Sequence, residues 1–150
     1  MVSSEEIKSV VLLSHLSEEM RKKLAELATI ITVKSGEVIF KQGDYAENLY
    51  AVLSGKVSLE MEKAGSKPLR IKDIAENYVF GISAMVESGE KTCISHARAV
   101  TDVKLVFWKA ADLDKLFYYH PDLGFSFMKR ITTVLKDRLQ IKNAQLASYT

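Results

Sequence analysis

The chain has 150 residues, of which 47% are apolar, and its formal net charge is +2. These values fit one domain with a buried core and exclude a disordered chain, and the small charge gives no reason to expect direct nucleic-acid binding. A single cysteine, Cys93, excludes an intrachain disulfide framework, and neither a membrane span nor a secretory signal is evident, so a cytoplasmic protein is expected.

Two helix starts are predicted in the first 28 residues. Ser3 and Glu6 have the spacing of a capping box, in which each side chain accepts a hydrogen bond from the backbone of the other. Ser17 precedes two glutamates, and acidic side chains are stabilised in the first turn of a helix by its dipole. Residues 29–34 are rich in β-branched side chains, which predicts the first strand.

Short strands are predicted over residues 29–108. Val57, Leu59 and Met61 alternate with polar side chains, which is typical of a strand with one buried face. Residues 64–68 contain glycine and proline and are predicted to join this strand to the next as a hairpin. Regularly spaced turn residues predict a mainly β protein, an antiparallel jelly-roll-like β-roll (double-stranded β-helix), rather than an alternation of strands and helices.

The periodicity becomes helical again in residues 109–150. A short helix is expected to end near His120, because Pro121 disfavours a helical residue before it and suits the first turn of the next helix. The last helix has an apolar stripe that continues to Leu146, and an exposed apolar end is a liability in a monomer. A homodimer is therefore predicted, with its contact through the apolar side chains Phe127, Ile131, Leu135 and Leu139.

The chain resembles the cyclic nucleotide-binding domain family in a series of turns and strands: Gly36-Glu37-Val38-Ile39-Phe40, Gly43-Asp44, Leu53-Ser54-Gly55-Lys56-Val57 and Phe80-Gly81. The resemblance implies one domain over residues 1–150, without a DNA-binding domain. N-terminal helices are expected at 1–28, the β-roll at 29–108 with a phosphate cassette at about 78–98, and C-terminal helices at 109–150. It also implies a non-enzymatic regulatory or sensor module that acts through a partner protein.

In that family, a glutamate of the cassette accepts hydrogen bonds from the ribose, and an arginine pairs with the cyclic phosphate. Gly81 and Ala84 match the pattern, but Ile82 stands at the glutamate position and Cys93 at the arginine position. Each charge-assisted hydrogen bond contributes about 1.5–3 kcal/mol, so cAMP or cGMP is expected to bind weakly or not at all. Lys91 is an alternative cation for the missing arginine.

A small ligand, a cyclic nucleotide or another molecule, is expected to contact the cassette and the strand before it: Ile71, Phe80, Gly81, Ile82, Ser83, Ala84, Lys91, Cys93 and Ile94. The fold is expected to need no cofactor or metal. His96 is the one histidine of the predicted strands, which argues against a cupin-type metal enzyme. Two alternatives to a sensor stay open: a ligand-free dimerisation or scaffold domain, and the effector domain of a transcription regulator that lacks its DNA-binding part.

Overall fold

The computed structural model describes residues 1–87 and 90–149. Its helices are α1 (Ser4–Ile7), α2 (Glu18–Leu27), α3 (Ala110–Tyr119) and α4 (Pro121–Ala147), with short 3₁₀ helices at Val11–Leu13 and Ile82–Met85. Its strands are β1 (Thr29–Val33), β2 (Val38–Phe40), β3 (Asn48–Ser54), β4 (Val57–Met61), β5 (Leu69–Ile74), β6 (Val79–Phe80), β7 (His96–Ala99) and β8 (Val103–Lys109).

The described strands form two four-stranded antiparallel sheets. One has the order β1-β8-β3-β6 and the other β2-β7-β4-β5. Side chains between the sheets form one core, which includes Val52, Val57 and Leu105. The predicted β-roll with helices at both ends is confirmed.

The helices cover the outer face of the first sheet. Side chains alternate along β8, so this strand contributes to the core on each face of the sheet. Leu105 points between the sheets, while Trp108 belongs to a second core shared with the helices. The Trp108 indole is fully buried and donates a hydrogen bond to the Leu24 carbonyl of α2 at 2.8 Å. This contact joins the N-terminal helices to the last strand.

The predicted helix starts are confirmed. Ser3 Oγ accepts from the Glu6 backbone N–H at 3.3 Å, and Glu6 Oε1 accepts from the Ser3 backbone N–H at 3.1 Å. Ser17 Oγ caps α2 by accepting from the Met20 backbone N–H at 3.2 Å. The break between α3 and α4 falls at His120, as the following proline predicts.

The predicted alternation of β4 is only partly correct. Ser58 is buried, because it lies in a central strand between Asp73 of β5 and Arg98 of β7. Met61 is exposed, because it pairs with the exposed Leu69 at the end of the hairpin, away from both cores. The hairpin loop itself lies between β4 and β5 as predicted.

The apolar stripe of α4 divides into two halves. Phe127 and Ile131 are fully buried in the core shared with α3 and the N-terminal helices. The prediction that these two side chains form a dimer contact is therefore wrong, because the chain itself covers them. Leu135 and Leu139 continue the stripe with 44% and 60% of their surface exposed. None of the helices in the described ranges combines the length and the hydropathy of a membrane span.

Candidate functional site

A cavity of about 470 Å³ lies between the roll and the second half of α4. We call it the cassette cavity, and its volume is in the range typical of small-molecule sites. Strands β2, β4 and β5, the described parts of the segment from Gly81 to Ser95, and α4 all contribute to its lining: Phe40, Leu59, Ile71, Lys72, Gly81, Ile82, Ser83, Val86, Glu90, Thr92, Cys93, Ile94, Ser95, Leu135, Arg138 and Lys142.

Six of the predicted contact residues lie together in this lining: Ile71, Gly81, Ile82, Ser83, Cys93 and Ile94. Phe80 does not form a wall, because its side chain points between the sheets and stacks on Tyr50 with ring centroids 5.1 Å apart. Ala84 is buried in the helix-covered core. Lys91 is not part of the described lining, and residues 88 and 89 of the predicted cassette lie outside the described residues.

Gly81 is required by the backbone at the start of the cassette. Its φ is +79°, which disfavours any other residue. A Cβ atom added there would lie 3.0 Å from the Asn48 carbonyl oxygen and 3.2 Å from Tyr50 Cδ2. The close approach of the cassette to β3 therefore explains this glycine without a ligand.

Ile82 and Cys93 present packed, uncharged side chains to the cavity, each with 7% of its surface exposed. Burial, and then the charge of Asp44, raises the pKa of the Cys93 thiol. The thiol therefore stays protonated at neutral pH and is a poor nucleophile and metal ligand. No group of three metal-binding side chains occurs in the described parts of the chain.

Three cations also line the cassette cavity: Lys72 on β5 and Arg138 and Lys142 on α4. The Arg138 guanidinium donates to the Val79 carbonyl, and Lys142 Nζ donates to the Ile71 carbonyl at 2.5 Å. Burial lowers the pKa of Arg138. The pKa of Lys72 is lowered by burial and then by repulsion from Arg138 and Lys142.

From sequence, Lys142 is one of two residues of the last helix placed to reach a ligand, but the basic residues of this helix are interpreted as a solvated face, so the cluster with Arg138 and Lys72 is not predicted. Its signal lies in the helical spacing. Arg138 follows Leu135 by three residues and precedes Lys142 by four, which puts all three on one face of α4. Arg138 and Lys142 therefore lie on the same face as the apolar stripe, in the part of α4 that extends beyond the core and lines the cavity.

A second cavity of about 650 Å³ lies between the first 3₁₀ helix, β5 and α4. Arg138 and Lys72 line both cavities, so they separate the two. The larger one contains Tyr78 and Val79 but none of the described residues between Gly81 and Ser95. We therefore take the cassette cavity as the candidate site, despite its smaller volume.

Residues 30–120 match the family model of the cyclic nucleotide-binding domain, which is more than half of the chain. The chain belongs to the cyclic nucleotide-binding domain family. It is 27% identical over 112 residues to the global nitrogen regulator of Synechocystis, covering 74% of this chain and 50% of that protein. It is 30% identical over 95 residues to a cAMP-dependent protein kinase regulatory subunit of Dictyostelium discoideum, covering 63% of this chain and 28% of that protein.

A solved cyclic nucleotide-binding domain from Methylobacillus flagellatus has the same fold, with a TM-score of 0.87 at 14% identity. The match covers 99% of this chain and 86% of that one. The chain spans half or less of the two named relatives, which are regulatory proteins with different tasks. Membership of a family of regulatory domains is therefore clear, while the ligand and the regulated partner are matters for proposal.

Proposed function

We propose that this domain is a non-enzymatic sensor module, in which a small ligand in the cassette cavity biases the position of α4. One observation carries the proposal: the cavity is lined by residues of the cassette and, from the side of α4, by Leu135, Arg138 and Lys142. A ligand that touches both sides has different affinities for different helix positions, and that difference is what shifts a conformational equilibrium.

The ligand is not a tightly bound cyclic nucleotide. Ile82 offers no acceptor for a ribose hydroxyl, and Cys93 offers no charge for a cyclic phosphate. Losing two charge-assisted hydrogen bonds weakens binding by at least about two orders of magnitude. The described lining has one carboxylate, Glu90, and no histidine, which supports a binding role rather than acid–base catalysis.

The test is thermal unfolding of the full chain with cAMP, cGMP and a panel of small organic anions at millimolar concentration. A ligand of the folded state raises the midpoint by mass action. The proposal expects at least one compound to do so, and the same compound should slow amide hydrogen exchange in residues 135–142. A panel that never shifts the midpoint would favour a ligand-free scaffold, and a shift without added protection of α4 would contradict coupling to the helix.

A second candidate function is dimerisation through the free half of α4. Leu135, Leu139 and Leu146 are exposed along one helix, and Leu146 has 68% of its surface in solvent. Contiguous exposed apolar side chains often mark an interaction site, and a second copy of this helix supplies a matching stripe. Light scattering tests this proposal. Leu139→Lys should give a monomer. Leu69 is also an exposed leucine but lies on β5, so the control Leu69→Lys should leave a dimer intact. A monomeric wild-type chain at high concentration would contradict it.

A further inference from the structure

We infer that the cassette cavity accepts an organic anion with an apolar body, held at its anionic end by Arg138, Lys142 and Lys72. The inference rests on the proposed function, because it names the ligand class of the same cavity. It places the anion at α4 and β5 rather than at Ile82 and Cys93.

The charge of the lining supports an anion. Three cationic side chains and one carboxylate, Glu90, face the cavity, a formal sum of +2. None of the ion pairs found within the described residues includes Lys72, Arg138 or Lys142. Lys72 and Arg138 are partly buried and repel each other, so an anion placed between them gains more than it would at an exposed lysine.

The hydrogen bonds of the two α4 cations hold them at the cavity and leave donors unused. Arg138 has five N–H donors and uses one on the Val79 carbonyl, while Lys142 has three and uses one on the Ile71 carbonyl. Both carbonyls are neutral acceptors: that of Ile71 is on β5, which lines the cassette cavity, and that of Val79 is on β6, in the lining of the second cavity. A charged carboxylate or phosphate oxygen is a stronger acceptor for the remaining donors.

The rest of the lining suits an apolar body. Phe40, Leu59 and Ile82 face the cavity from the roll and the cassette. Ile94 is 76% exposed at the same cavity, so a ligand that covers it removes apolar surface from water. A hydroxyl placed against Ile82 would lose its hydrogen bonds to water without replacement, which disfavours a sugar in that position.

The test uses octanoate as probe, octanamide as its uncharged counterpart and octyl phosphate as a dianion, each titrated into the full chain by calorimetry. Octanoate or octyl phosphate should bind at least about tenfold more tightly than octanamide. The preferred anion then distinguishes a carboxylate ligand from a phosphate ester. Equal affinities for all three, or binding by none, would overturn the inference.

The variants locate the anion. Arg138→Met and Lys142→Met should each weaken binding of the preferred anion about tenfold and leave octanamide unaffected. Lys136→Met removes the same charge from an exposed position of α4 outside both cavities and should change nothing. If Arg138→Met fails to fold, Lys142→Met decides, because the Lys142 side chain is exposed and its hydrogen bond within the described residues is to the Ile71 carbonyl. Unchanged anion affinity in Lys142→Met would contradict the inference.

An experiment can distinguish failure of the anion-site inference from failure of the sensor proposal. The double variant Ile82→Glu with Cys93→Arg is designed to bind cAMP through the cassette. If octanoate and octyl phosphate do not bind, but cAMP binds that variant and protects residues 135–142 from exchange, coupling to α4 stands and only the anion site at α4 is wrong.

Discussion

Restoring the two charged cassette side chains should create a cyclic nucleotide site. Ile82 and Cys93 both line the cassette cavity, so Ile82→Glu with Cys93→Arg brings an acceptor and a cation to the same space. Each new charge-assisted hydrogen bond contributes about 1.5–3 kcal/mol, and together they strengthen binding by about two to four orders of magnitude. Asp44 is close enough to raise the pKa of the Cys93 thiol, and in the free protein it competes for the introduced arginine. We therefore expect the lower end of that range.

The double variant also loses stability. Burial of the Ile82 side chain is worth about 1.5–3 kcal/mol, and a partly buried carboxylate adds a desolvation cost. A domain with 5–15 kcal/mol of stability tolerates this loss. At a cAMP concentration one hundred times its dissociation constant, binding stabilises the folded state by about 2.7 kcal/mol, which thermal unfolding detects.

The matched control is Ile82→Glu with Cys93→Met, which keeps the carboxylate and the bulk but lacks the cation. It should show no cAMP-dependent rise in the unfolding midpoint. A folded double variant with wild-type affinity for cAMP, measured by calorimetry, would refute the assignment of Ile82 and Cys93 to the ribose and phosphate positions.

Three further predictions concern the fold that supports the site. Trp108→Phe should lower the free energy of unfolding by about 2–4 kcal/mol in urea, because it leaves a void and an unpaired Leu24 carbonyl; an unchanged value would show that this contact contributes nothing. Gly81→Ala should cost more than Gly36→Ala, since both have positive φ but only the first meets neighbouring atoms; equal costs would contradict the close approach at the cassette. The raised thiol pKa of Cys93 means that the unfolded chain releases this proton first, so stability should fall as pH rises above about 8.5, and Cys93→Ala should remove that part of the fall.

Sequence was sufficient for features set by neighbouring residues. The capping box at Ser3, the cap at Ser17 and the helix break before Pro121 each depend on contacts within one turn. The β-roll followed from turn spacing together with a family resemblance. The same resemblance placed Gly81, Ile82 and Cys93 on one cavity, because it supplied a topology that periodicity does not contain.

Sequence was insufficient where the outcome depends on packing between distant segments. The spacing of Phe127, Ile131, Leu135 and Leu139 is uniform, yet the core ends between the second and third of them. The point where it ends depends on how far the N-terminal helices and α3 reach along α4. Arg138 faces the cavity for the same reason, since its surroundings come from β5 and β6.

Calorimetric titration of cAMP into the wild-type chain tests the central claim most directly. The claim is that the cassette lacks both charged groups that hold a cyclic nucleotide, while the cations of the cavity lie on α4 and β5. The predicted result is a dissociation constant weaker than about a millimolar. Micromolar or tighter binding would contradict it.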